Sequence, residues 1–224
     1  MRNLHVVRDL LVRLDGFDCS RPISSTACDA TSDLFYVLSS GGEIWSFLDS
    51  EFYTPADTTG RSLTLDLRQS LEEDGDVMED EVNFFYMEYL SERSMLTFFS
   101  HKGYICSLLD GNDLCSREFA LEGVIEGGVA AAVWSPDQSI LVLVTNNDSI
   151  IAMTLSWEVI AEVDIPTRSA GTSAAISWAG DGECLAVYTV DAADKVGRVR
   201  IFSKDLDLMA TARGIQDGPA GTLK

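Results

Sequence analysis

The chain has 224 residues, 46% of them hydrophobic and five of them proline, which suits a folded, soluble protein with a sizeable core. Sixteen basic residues stand against 36 acidic ones, a formal net charge of −20. That balance disfavours direct nucleic-acid binding, which draws most of its affinity from a basic surface. No run approaches the roughly 18 apolar residues of a membrane span.

The opening stretch "MRNLHVVRDLLVRLDGFD" scatters charge where a secretory leader needs an apolar core, so no signal peptide is expected. It reads as a strand, with His5 exposed on it. Cys19, Cys28, Cys106, Cys115 and Cys184 form an odd set with no C-x-x-C spacing. They are expected to be buried thiols in a reducing cytosol, and a zinc site would need tighter spacing and histidine partners.

"SDLFYVLSSGGEIWSFL" (32–48) gives an apolar strand, a Gly-Gly turn and a second strand. An acidic loop follows at 69–83, with seven acidic residues among the ten from Glu72 to Glu81. Its Gly75 is misplaced for an EF-hand calcium loop, so a solvated loop is expected, with an acidic tongue for a basic partner as the functional alternative. "EYLSERSMLTFFSHKGYICSLL" (88–109) reads as three strands joined by turns, with His101 solvated at a hairpin tip. "EGGVAAA" (126–132) lacks the spacing of a phosphate-binding loop, and Gly127-Gly128 read as a turn between repeats.

The clearest unit runs from Ala130 to Leu155. Its first strand ends in Trp134, and Ser135-Pro136-Asp137-Gln138 make a turn in which proline presets φ and aspartate can bond the backbone ahead. "ILVLVT" then suits a strand buried on both faces, and "NND" turns into "SIIAMTL". The same order returns 44 residues later: Trp178, the turn Ala179-Gly180-Asp181-Gly182, "CLAVYTV", a longer loop "DAADKVG" and "RVRIFS". All four units place an isoleucine in a late strand: Ile44, Ile105, Ile151 and Ile201.

A period in the forties with an aligned Trp predicts an all-β fold, a β-propeller of WD-repeat type with about four blades, a sector of a larger ring. A β-sandwich would also supply short strands, but not this self-similarity. Trp134, Pro136, Asp137, Trp178, Asp181 and Gly182 are the blade-structural residues, the two tryptophans acting as wedges between adjacent sheets. Trp45 and Trp157 have no counterpart in the repeat and are expected on the surface. The chain has no G-x-S-x-G elbow and two histidines in unrelated contexts, so no catalytic, metal-binding or cofactor-binding residue is assigned.

Met1 to Leu4, Trp134 to Asp137, Ile151 to Thr154, Trp178 to Gly182, Val199 to Phe202 and Gly218-Pro219 occur in the order found in one family. Together they make the chain resemble the N-terminal WD-repeat propeller of the largest subunit of the Elongator complex. Ala179 stands where that family carries arginine, and the acidic loop is a further departure. The resemblance implies a non-catalytic scaffold over residues 1–224, with no second domain. Its partners would be the catalytic and second-largest Elongator subunits, in support of wobble-uridine tRNA modification. Contact with tRNA would be indirect, the homodimerisation region would lie outside this chain, no cofactor would be needed, and the location would be cytoplasmic with the nucleus as a second site. The competing readings are an unrelated WD-repeat adaptor and, more distantly, a propeller enzyme.

Overall fold

A computed structural model describes residues 20–29, 31–48, 65–67, 82–109, 118–169 and 172–212. Within them lie sixteen strands: β1 (Ile23–Asp29), β2 (Leu34–Ser39), β3 (Glu43–Leu48), β4 (Leu65–Asp66), β5 (Phe84–Leu90), β6 (Met95–Ser100), β7 (Tyr104–Leu109) and β8 (Glu118–Val124), then β9 (Val129–Trp134), β10 (Ile140–Thr145), β11 (Ser149–Thr154), β12 (Val159–Asp164), β13 (Ala175–Trp178), β14 (Cys184–Val190), β15 (Gly197–Ser203) and β16 (Leu208–Thr211). Each successive group of four forms one antiparallel sheet in chain order, the blade arrangement of a β-propeller. The chain divides into two compact units, Met1–Glu122 and Gly123–Lys224, the first holding the first two sheets up to Glu122 of β8 and the second the last two.

The apolar runs become the central strands. β10, Ile-Leu-Val-Leu-Val-Thr, pairs with β9 on one side and β11 on the other, and its residues 141–145 are buried. β-branched side chains suit this place because they pack well on a pleated surface covered from both sides. In the first unit β1 lies beside β5, where Met87 N–H donates to Ser25 Oγ at 3.1 Å. In the second unit β9 lies beside β13. The core of the first unit gathers Tyr36, Leu38, Phe84, Phe98 and Cys106. That of the second gathers Val142, Val144, Leu185, Val187 and Phe202 from both of its sheets.

The turns repeat as the strands do. Ser39, Ser100 and Thr145 each close a second strand, and their hydroxyls accept the N–H four residues on, from Glu43 at 3.2 Å, Tyr104 at 3.0 Å and Ser149 at 3.2 Å. The residue before the new strand is left-handed in each case: Gly42, Gly103 and Asp148, with φ of 95°, 98° and 63°. Ile44, Ile105, Ile151 and Ile201 all fall in the third strand of their sheets.

Three expectations are corrected. Trp45 is not a surface residue: it lies on β3, between β2 and β4, and is 1% exposed. Trp157 is half-buried, set edge-on against Trp134 with ring centroids 5.9 Å apart. Cys106 is buried, but Cys28, on the edge strand β1, is exposed, and Cys184 is half-buried. His101 is exposed at the β6–β7 turn, its ring stacked on Phe85 at 4.3 Å. Met1 to Leu4, His5, Cys19, Cys115, Gly218-Pro219 and residues 68–81 of the acidic stretch lie outside the described residues. The end of that stretch is described, and there Val82 joins the first unit's core instead of a loop.

Candidate functional site

The turn after Trp134 is built by its own side chains. Ser135 N–H donates to Ile140 O at 2.7 Å and Gln138 N–H to Ser135 O at 2.8 Å. Asp137 Oδ1 accepts three bonds: Ser135 Oγ at 2.6 Å, Ser139 Oγ at 2.8 Å and Ser139 N–H at 3.1 Å. Those donors favour the carboxylate, and with the Ser135 hydroxyl foremost they hold Asp137 below the usual aspartate range. Pro136 supplies the fixed φ, and Gln138 closes the turn with φ of 59°.

The turn after Trp178 has the same frame. Ala179 N–H donates to Cys184 O at 2.8 Å, Gly182 N–H to Ala179 O at 3.0 Å, and Glu183 N–H to Asp181 Oδ1 at 3.1 Å. Gly182 takes the left-handed position, φ 74°, that Gln138 takes in the first copy. A third turn, between β15 and β16, is anchored on Ser203, whose Oγ accepts Asp207 N–H at 3.1 Å.

These three turns enclose a groove of about 520 Å³ in the second unit. Pro136, Asp137, Asp181 and Gly182 all line it, so the structure brings together four of the six residues singled out by the repeat. Trp134 and Trp178 stand one residue before their turns and do not line the groove. Trp178 packs against the core between the unit's two sheets, while Trp134 meets Trp157. The groove also carries Glu183, Asp205 and Lys204, so four carboxylates face one ammonium. Lys204 Nζ lies 3.6 Å from Glu183 Oε1, and both are largely exposed, so the pair adds little stability. The arrangement is equipped to receive a cationic side chain beside the apolar surfaces of Pro136 and Ile140. Its lining holds no histidine or cysteine. Among the described residues no cluster of three or more His, Cys, Asp or Glu could hold a metal ion.

Two ionic clusters went unread in the sequence. Arg200 on β15 is 6% exposed: its Nη2 donates to both carboxylate oxygens of Asp191 at 2.8 Å, and its Nη1 to Thr189 Oγ1, also at 2.8 Å. Arg198 binds Asp191 and Asp194 from the same strand. Arg168 donates from Nε to Asp148 Oδ1 at 3.0 Å and from Nη2 to Thr145 O at 2.9 Å. The alternating "RVR" of β15 is the signal for the first cluster, since residues two apart share one face of a strand. Arg168 lies outside any strand and carries no such signal.

The family model described as "ELP1 first N-terminal beta-propeller" matches residues 1–175. Elongator complex protein 1 of Mus musculus is 24% identical over 148 residues, covering 48% of this chain and 11% of that protein. Elongator complex protein 1 of Rattus norvegicus is 22% identical over 142 residues, covering 46% of this chain and 11% of the relative. The matched region is thus about a tenth of the length of these curated relatives. With four consecutive four-stranded sheets and a family match along most of its length, the chain belongs to the ELP1 first N-terminal beta-propeller family.

Proposed function

We propose that the chain is a non-catalytic scaffold portion of the Elongator complex, acting through protein–protein contacts with the catalytic and second-largest subunits. Through them it supports modification of the wobble uridine of tRNA, and it meets tRNA only indirectly. The observation that carries this reading is the family match over residues 1–175. Two others support it: both relatives are Elongator complex protein 1, and the net charge of −20 opposes direct phosphate binding. The six repeat residues, Trp134, Pro136, Asp137, Trp178, Asp181 and Gly182, serve the blades and take no part in chemistry. The protein works in the cytoplasm, with the nucleus as a second location, which imaging of a fluorescent fusion tests.

The deciding experiment is affinity purification of the natively expressed protein through an added tag, followed by mass spectrometry and nucleoside analysis of tRNA from a deletion strain. Other Elongator subunits are expected in the eluate, and wobble-uridine modification is expected to fall in the strain. Recovery with an unrelated assembly, and unchanged tRNA nucleosides, would replace this reading with that of a general WD-repeat adaptor.

A further inference from the structure

We infer that the outer edge of β16 is a docking strand for an extended segment of a partner protein, one that alternates apolar and basic residues and seats a cation in the adjoining acidic groove. β16 is last in the order β13-β14-β15-β16, so among the described residues only one of its sides is paired. All four of its residues are exposed, Leu208 at 56% and Met209 at 65%. An unpaired edge is normally guarded by lysine, proline or inward charge, because its bare N–H and C=O groups recruit other strands. Leu-Met-Ala-Thr has no such guard, whereas β12, the edge of the neighbouring sheet, carries Glu162 and Asp164.

The backbone fixes which groups are offered. Ala212 N–H donates to Val199 O at 2.8 Å, so it faces β15, and strand alternation turns the N–H and C=O of Thr211 outward. Charge then selects the occupant. Asp205 and Asp207 immediately precede β16, and Asp205 lines the groove with Asp137, Asp181 and Glu183, where the one cation, Lys204, is directed at Glu183. Strand addition of this kind takes its affinity from main-chain hydrogen bonds and its specificity from alternate side chains. The exposed Leu208 and Met209 match the apolar residues of such a segment, and the groove matches its basic ones.

The inference rests on the reading of the chain as a protein-contact scaffold, but its test is separate from co-purification, so either can fail alone. The full chain is titrated with a labelled short peptide alternating valine and lysine, in about 0.15 M salt. Saturable one-to-one binding is expected. N-methylation of alternate peptide amides, or Thr211→Pro in the protein, should weaken it by about tenfold, the scale of a hydrogen bond lost from a buried pairing. Asp205→Lys should weaken it as well, and a valine–glutamate peptide should not bind. The N-methylated peptide makes the comparison without altering the protein, so it stands even where Thr211→Pro lowers Tm. Absence of binding overturns the inference, and so does binding indifferent to N-methylation, which is adhesion of a polycation. Concentration-dependent self-association abolished by Thr211→Pro overturns it too, in favour of a second copy as the occupant.

Discussion

Asp137 and Glu88 show how two carboxyls in one chain respond to opposite environments. Asp137 is ringed by donors, and its pKa lies below the ordinary 3.8. A carboxyl depressed on folding contributes stability at pH values above its unfolded pKa and loses that contribution as pH falls through the folded one. Thermal melts are therefore expected to drop as pH is lowered below about 4, and Asp137→Asn to make the drop shallower. Glu88 on β5 is pushed above the ordinary 4.5, first by burial, and the hydroxyl of Tyr86 at 3.0 Å only partly offsets this. Here the sign reverses: the cost of the charged form is present above the folded pKa and absent below the unfolded one. Glu88→Gln is expected to raise Tm at about pH 7 and leave it unchanged at about pH 4, as differential scanning fluorimetry would show. A gain at both pH values would trace to packing and not to the charge.

At the scale of elements, the loop joining β14 to β15 is ordered by ions where the earlier sheets use a hydroxyl and a tight turn. Arg200 and Asp191 are 6% exposed each, and such a pair is costly to break from one side. Asp191→Ala strands Arg200 without its carboxylate and is expected to lose about 3–5 kcal/mol in urea denaturation, whereas the paired change Asp191→Leu with Arg200→Met should lose far less. Equal losses would assign the loop's order to its backbone. This cluster also marks where the sequence stops being legible. The turns at Pro136 and Gly182 and the strand "ILVLVT" announce themselves by local chemistry. The meeting of Asp191 with Arg200 depends on the β14–β15 register, which the sequence does not state. The fourth strands were unassigned for a related reason. β4 has two residues, while Phe-Ala-Leu of β8, Val-Ile-Ala of β12 and Leu-Met-Ala of β16 are runs too short to mark a strand by themselves. Trp45 was misplaced because a tryptophan without a repeat partner gives no sign of its depth, which comes from the strands on either side. Trp45→Ala should cost about 3–5 kcal/mol, the loss typical of a large buried aromatic. Four residues of the groove were likewise readable as turn formers, but their convergence required two sheets to pack side by side.

For the whole molecule, charge sets the response to solvent. A surplus of 20 negative charges repels itself in the compact state, and that repulsion acts over the Debye length, about 30 Å at 0.01 M salt and about 3 Å at 1 M. The attractive ionic contacts respond differently. Arg200 to Asp191 is buried and screened little, while Lys204 to Glu183 is exposed and worth little at any salt. Screening therefore removes more repulsion than attraction, and Tm is expected to rise as sodium chloride is raised from about 0.01 M to about 0.5 M. For a chain of this size each kcal/mol of repulsion relieved corresponds to about 2–4 °C. A Tm that falls instead would mean that exposed ion pairs dominate the balance. Such a result would also weaken the case for the groove as an acidic receptor, since its carboxylates would then be engaged within the chain and not offered to a basic partner.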